Sequence, residues 1–371
     1  MTRKAFKYRI YLTNGQRRIL EQQLEECRWV YNQTLVTRRD AYEQGVSLSW
    51  YETKAMLPLW KERRPSLKLV YSQVLQNITQ RVDLAFQAFF RRMKEGAQDP
   101  GYPRFKGFGR YDSITYPQYG NGVRLEGERL ILSKVGAVHL VLHRPVEGTI
   151  KTVTLRRART GKWYVSFSME IEPKQLPASD EVVGVDVGLM SFATLSNGEQ
   201  IENPRFYQRD EADLKRTQKL KDAAKNAQKW DENRHRKKAL AHIHERITNR
   251  RSDFAHKRSR ELVNRYQVIV LEDLAPQQMG ANKGRGMCKS IMDVAWSQFV
   301  SMTISKAEEA GRSVVVVNPR DTSKLCSQCG ERVEKKLSER THSCLHCGLV
   351  MDRDKNAALN ILHRGLQTLR L

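Results

Sequence analysis

Residues 182–203 read VVGVDVGLMSFATLSNGEQIEN. Val182 to Val187 is almost continuously apolar, the pattern of a buried strand, yet Asp186 interrupts it. A lone carboxylate at such a position is costly unless something compensates it. Taken alone, Asp186 is a turn or cap aspartate. Phe192 to Ser196 reads as a second strand, with Asn197-Gly198 as the hairpin turn that follows. Two more buried strands lie downstream, QVIVLEDL (267–274) and RSVVVVNP (312–319). The first ends in Glu272-Asp273. Neighbouring strand residues face opposite sides, so only one of these two acids points inward.

Working outward, residues 207–265 form a long helical region with 18 Lys/Arg against 9 Asp/Glu, and Leu240, Ile243, Ile247 and Phe254 recur on one face. MGANKGRGM (279–287) reads as a flexible basic loop, and DVAWSQFVSMTISKAEEAG (293–311) as a helix. Near the C-terminus CLHCGLVMDRDKNAALNIL (344–362) joins a cysteine pair to two aspartates, Asp352 and Asp354, and then to Ala357, Ala358, Ile361 and Leu362 at helical spacing. Asp354 taken alone is a helix N-cap. Taken together, Asp186, Glu272 and Asp354 are two strand carboxylates and one from a helix start, which an RNase H-like fold brings face to face. Three such carboxylates hold two Mg²⁺ ions, which clamp the attacking and leaving oxygens of a phosphodiester. Asp273 and Asp352 are the competing assignments.

The chain has 371 residues, 40% of them hydrophobic, enough for two or three folded domains. Lys and Arg number 65 against 41 Asp and Glu, a net charge of +24, and the pI is near 9.9. That excess calls for a polyanionic partner. No apolar run reaches membrane-spanning length, and MTRKAFKYRIYLT has no signal-peptide core. The partner is therefore read as nucleic acid, and the location as cytoplasmic, nucleoid-associated.

Cys326, Cys329, Cys344 and Cys347 form two CxxC pairs 14 residues apart, the spacing of a four-thiolate zinc site. Gly330 and Gly348 follow the second cysteine of each pair and let the backbone turn. Four protein ligands close the site, so the zinc is structural. His342 and His346 are read as surface residues, His346 also as a nucleic-acid contact. Cys27 sits at helical spacing with Leu24 and Val30 and reads as core; this is not a disulfide framework.

Upstream, KAFKYRIYL (4–12) alternates as a half-buried strand does, and residues 15–94 carry helical spacing, with Gly45 and Gly96 at helix ends. From Asp99 the chain changes character. DPGYPRFKGFGRYDSITY is a Gly-, Pro-, aromatic- and Arg/Lys-rich loop leading into strand. VRLEGERLILS, GAVHLVLH, TIKTVTLRRA and WYVSFSMEIE are short alternating segments of a β-barrel or sandwich. PKQLPASD (173–180) reads as a linker.

GVDVGL, VLEDL, CSQC…CLHCG and DRDKNAALNIL resemble the split RuvC nuclease motifs of transposon-encoded TnpB proteins, relatives of type V CRISPR effectors. The resemblance extends to KAFKYRIYLTNGQ, LQN and YPRFKG, and so over nearly the whole chain. It implies a multidomain α+β protein: a wedge β-barrel (1–13 and 97–178), an inserted helical recognition domain (14–96), a RuvC-like nuclease domain (179–321 and 351–371) and a zinc-ribbon insertion (322–350). It assigns the nuclease acids to Asp186, Glu272 and Asp354. It implies an RNA-guided, Mg²⁺-dependent DNA endonuclease, monomeric in its RNA complex. The partners are a guide RNA from the transposon end and a double-stranded target bearing a short transposon-adjacent motif.

By alignment with the family, Trp50, Gln76 and Thr115 contribute to reading that motif. Arg104 and Lys106 of YPRFKG are candidates for phosphate contacts. Arg250, Arg251, Lys257 and Arg258, in the basic helical region, are expected to contact phosphates of the guide–target duplex. Two other readings compete: a DNA transposase catalysing strand transfer, and an RNA-guided DNA-binding regulator without cleavage, against which the intact acid triad argues.

Overall fold

The computed structural model describes residues 2–274, 284–336 and 339–369. The chain is mixed α/β and divides into two compact units, one ending at Glu172 and the other beginning at Pro173.

The first unit opens with β1 (Thr2–Tyr11), whose alternation buries Tyr8 and Ile10. Thr13 and Gln16 then form a reciprocal capping box at the start of α1 (Asn14–Glu43). Next come α2 (Trp50–Ala55), α3 (Leu57–Arg63), a 3₁₀ turn (Pro65–Leu69) and α4 (Ser72–Lys94). Gly45 and Gly96 take positive φ just past α1 and α4, a backbone that glycine adopts without Cβ strain. Six strands follow: β2 (Ser113–Tyr116), β3 (Val123–Glu126), β4 (Arg129–Leu132), β5 (Gly136–Val141), β6 (Thr149–Arg157) and β7 (Trp163–Ile171). With β1 they make one seven-stranded sheet of order β2-β6-β7-β1-β5-β4-β3. The end strands β2 and β3 do not pair with each other, so the sheet stops short of a closed barrel. Tyr8, Trp163 and Phe167 from its buried face join Leu24, Cys27 and Ile78 from the helices in one core. Burial pushes the Cys27 thiol up to about 12, as befits a packing residue.

The second unit is built on a five-stranded sheet of order β10-β9-β8-β11-β12. Its strands are β8 (Val182–Val187), β9 (Ser191–Leu195), β10 (Gln200–Glu202), β11 (Val268–Glu272) and β12 (Ser313–Val317). β8, β11 and β12 run parallel, whereas β9 and β10 meander antiparallel. Residues 173–180 are more than a linker: Leu176 N–H donates to Ala310 O, and Ser179 is bonded to Gln267 and Arg265.

The long basic helical region is two helices, α5 (Phe206–Asn226) and α6 (Trp230–Arg265), broken where Gln228 takes positive φ. The expected loop at 279–287 lies outside the described residues up to Lys283, and its last part is helical. Helix α7 (Arg285–Val294) precedes α8 (Trp296–Ala310), with Ala295 in the left-handed region between them. Phe192, Phe254 and Phe299 meet edge to face at 4.8 and 5.1 Å in the core that α6 and α8 share with the sheet. Helix α9 (Arg353–Leu369) closes the unit. It lies directly on β8 and β11 because two glycines permit it. A Cβ at Gly184 would fall on the Ala358 carbonyl, and one at Gly365 on the Val270 side chain. No helix among the described residues is long and apolar enough to cross a membrane.

Candidate metal centres and nucleic-acid contacts

Parallel register sets Val185 level with Leu271, so Asp186 and Glu272 come next, side by side on adjacent strands. The close approach of α9 brings its first turn, with Asp354, to the same end of the sheet. The three acids are near enough for Glu272 and Asp354 to act electrostatically on Asp186. Desolvation first, then the negative charges of Glu272 and Asp354, hold the Asp186 carboxyl well above the usual range; Arg353 opposes and Asp352 adds. Glu272 is 6% exposed and is also raised, by burial, against the Thr322 hydroxyl and the Arg364 charge. A half-buried Asp186 carboxyl beside the charges of Glu272 and Asp354 is what a bound cation would relieve, so the donor set fits a divalent metal.

The competing acids do other work. Asp273 is exposed, as strand alternation requires if Glu272 points in. Asp352 caps α9: its Oδ1 accepts from the N–H groups of Asp354 and Lys355, both at 2.9 Å. That leaves the Asp354 carboxylate free of capping. It faces Arg340 at 3.6 Å and Arg353 at 3.4 Å.

Three residues that the sequence reading passed over hold this arrangement. The Thr322 hydroxyl donates to Glu272 Oε1 at 2.5 Å. Asn360 donates to the carbonyls of Thr322 and Leu325 at 2.9 and 2.8 Å. Asn356 donates to Leu325 O at 2.7 Å and accepts from Ser327 N–H at 2.9 Å. Asn356 and Asn360 sit four residues apart on the apolar face of α9, among Ala357, Ala358 and Ile361. Amides at that spacing within a buried stripe were the available signal.

The four cysteine sulfurs lie within 4.8 Å of one another. Cys326 to Cys347 and Cys329 to Cys344 are both 3.6 Å. A disulfide is about 2.05 Å, whereas Zn–S bonds of about 2.3 Å imply a tetrahedron edge of about 3.8 Å, so the cluster fits zinc. The two knuckles match: Gly330 and Gly348 take positive φ and donate to Cys326 O and Cys344 O, both at 2.9 Å. The thiols of Cys329, Cys344 and Cys347 titrate as one group: backbone N–H groups, Cys347 foremost, pull Cys344 down, while Cys329 and Cys347 are pushed up beside the other sulfurs. The hairpin of β13 (Thr341–Ser343) and β14 (Val350–Asp352) carries the second knuckle between its strands and leads into the start of α9. His346 is exposed. His342 is not the surface residue expected. It is fully buried, with Nδ1 against Lys335 Nζ, and burial lowers its pKa.

The nucleic-acid candidates divide. Trp50 is half-buried and donates its indole N–H to Thr79 at 3.1 Å. Gln76 is half-buried on α4, and no bond of its amide is seen among the described residues. The Thr115 hydroxyl is already engaged, by Arg81 at 2.5 Å and Thr154 at 2.8 Å. Arg104 is exposed, and the Lys106 ammonium lies over the Tyr31 ring at 5.4 Å. All four α6 cations form ion pairs. Arg251 is committed to buried Asp293, and Arg250 to buried Asp210 at 3.2 Å, fastening α6 to α7 and α5. Lys257 and Arg258 make surface pairs with Asp253 at 2.9 Å and Glu261 at 2.6 Å. Such pairs hold weakly and leave both cations available.

A family described as "Probable transposase" matches residues 166–283, and "Cas12f1-like, TNB domain" matches 296–361, which includes all four cysteines. A "Helix-turn-helix domain" family matches 1–46, which here is a strand and one long helix. A Streptomyces pristinaespiralis protein named "Putative RNA-guided DNA endonuclease" is 35% identical over 373 residues, covering 98% of this chain and 90% of that protein. Escherichia coli "Putative RNA-guided DNA endonuclease InsQ" is 31% identical over 383 residues, covering 98% and 92%. Among solved structures, the mini-RNA-guided endonuclease CRISPR-Cas_phi3 superposes with a TM-score of 0.57 at 10% identity, covering 98% of this chain and 92% of that one, a likeness of fold alone.

Proposed function

The chain belongs to the TnpB family, and we propose that it is an RNA-guided DNA endonuclease that cuts beside a short transposon-adjacent motif by metal-assisted phosphodiester hydrolysis. The observation that carries this reading is the placement of Asp186 and Glu272 side by side at the ends of parallel β8 and β11, with the Asp354 charge acting on Asp186, in a chain of net charge +24. The order β10-β9-β8-β11-β12, antiparallel then parallel, supports an RNase H-like nuclease domain.

Asp186, Glu272 and Asp354 would hold two Mg²⁺ ions. Bound there, the ions supply the charge that polarises the scissile phosphate and activates the attacking water. The chain orients their ligands. Thr322 occupies Glu272 Oε1 and leaves Oε2 to the metal. Asp352 takes over the capping of α9, and Arg340 and Arg353 steady the Asp354 carboxylate. Cys326, Cys329, Cys344 and Cys347 would hold a structural zinc that fixes the segment between Thr322 and Asp352. Trp50 and Gln76 contribute to motif reading, with Thr115 acting through Arg81. Arg104, Lys106, Lys257 and Arg258 contact phosphates, whereas Arg250 and Arg251 hold helices together.

The test is to sequence the RNA that copurifies with the chain and to assay guided cleavage in Mg²⁺. One structured RNA ending in a variable segment, with cutting of a matching duplex, is the expected result. Strand-transfer products formed without RNA would favour a transposase. Guided binding without cutting would favour a regulator.

A further inference from the structure

Residues 97–112 contain no strand or helix, yet they are fastened to the first unit along their length. Arg92 donates to the carbonyls of Pro100 at 2.6 Å and Gly101 at 3.1 Å. Asn32 grips Lys106 from both sides, accepting from its N–H at 2.8 Å and donating to its carbonyl at 3.0 Å. Gly109 N–H donates to Glu25 at 3.1 Å, and Arg157 donates to Gly109 O at 3.3 Å. A loop held by so many side-chain bonds is pre-shaped.

What it presents is apolar. Tyr102 is wedged edge-on against Phe86 and Phe89, at 5.6 and 5.3 Å. Phe105 and Phe108, each three residues further on, turn outward at 50% and 83% exposure. Single exposed phenylalanines are ordinary; two on one pinned loop, each attended by a cation, are not. The Arg39 guanidinium lies 6.0 Å from the Phe105 ring and that of Arg28 5.9 Å from the Phe108 ring. Arg104 and Arg110 are exposed beside them. The loop's acids are engaged, Asp99 with Gly101 N–H and Asp112 with Arg156. Arg28 and Arg39 are themselves ion-paired, with Glu25 at 2.6 Å and Asp40 at 2.8 Å, so the surface offers ring faces flanked by the exposed charges of Arg104 and Arg110.

We infer that Phe105 and Phe108 form a stacking platform for unpaired bases of the bound RNA, with Arg104 and Arg110 on the flanking phosphates. This rests on the proposed RNA partner and adds where the strand is held and in what state. A ring face can stack only on a base whose own face is open, so the platform selects single-stranded segments and tolerates any base.

The test uses the full chain and a labelled oligouridylate of about 12 nucleotides, with an RNA duplex of equal length as control. Phe105→Ala with Phe108→Ala weakens single-strand binding on the order of ten- to a hundredfold and leaves duplex binding and the salt slope unchanged. Phe108→Trp retains the affinity. Arg104→Ala instead lowers the salt slope by about 0.7. Unchanged single-strand affinity in the double variant overturns the inference. So does an equal loss for the duplex. A wild-type dimer that the double variant abolishes, with RNA binding intact, would assign the patch to self-association. Failure of guided cleavage would strike the proposed function and leave these binding results standing. Guided cleavage alongside undiminished single-strand binding in the double variant would strike this inference alone.

Discussion

The second unit carries two ligand clusters assembled in opposite ways. Cys326, Cys329, Cys344 and Cys347 lie within 22 residues and meet through two turns of matching geometry. Asp186, Glu272 and Asp354 each lie more than 80 residues from the next, and they meet only because β8 and β11 run parallel and α9 lies on both. The difference separates a site that local chemistry can close from one that the whole domain must fold to create. The two are also joined. Thr322, four residues before the first cysteine, bonds Glu272, and Asn356 and Asn360 tie the same segment to α9. The cysteine cluster thus braces the ground on which two of the three acids stand.

The largest expected effect breaks one cluster and spares the other. Asp186→Ala, Glu272→Ala or Asp354→Ala abolishes cleavage while zinc content and RNA binding persist, since each removes a proposed metal ligand and no proposed phosphate contact. Any of the three that still cuts in Mg²⁺ loses its assignment; Asp273→Ala is the mild control. Next comes Cys344→Ser, which lowers zinc content by metal analysis, lowers the melting temperature and takes cleavage down with it, because a structural site contributes folding energy. A zinc-free variant of full activity would show that the clusters are independent.

Thr322→Val tests the bridge. Cleavage falls about 10- to 100-fold, as for other supporting contacts to metal ligands. Thr322→Ser restores it, and Mg²⁺ affinity measured by calorimetry falls with the valine. Equal behaviour of Val and Ser would make Thr322 a packing residue only.

The smallest effect concerns stability without metal. The folded-state pKa of Asp186 is raised, so its favourable contribution is fully present below the ordinary aspartate range and is lost as pH rises through the folded value. At neutral pH the metal-free chain therefore bears a penalty. Asp186→Asn raises the melting temperature in EDTA at pH 7 to 8, and the gain shrinks as the pH falls toward the ordinary aspartate range. A lower melting temperature at neutral pH would mean that the carboxylate is not desolvated.

Much of this was open to reading, element by element. Strand β11 shows as an unbroken apolar run because it is covered on both faces, whereas β12, expected to be buried, is the edge strand and leaves Val316 exposed. The cysteine spacing names its own metal chemistry because the ligands are local. Glu272 over Asp273 follows from alternation once the strand is granted. The pairing of the α6 arginines is not legible for the converse reason. Charge counted along a helix does not disclose that Asp293, on another helix, engages Arg251, or that Asp210 is shared by Arg246 and Arg250.

By itself, the sequence of this protein determined its charge, its strand and helix periods and its cysteine knuckles, all of which depend on residues within a few positions of one another. Tertiary structure alone decided which of Asp352 and Asp354 caps the helix and which faces the other acids, that His342 is buried, that Thr322 reaches Glu272, and that Gly184 and Gly365 let α9 onto the sheet. The physical reason is that burial, carboxylate repulsion and hydrogen bonding act through space. Their strength is set by neighbours that the order of residues does not display.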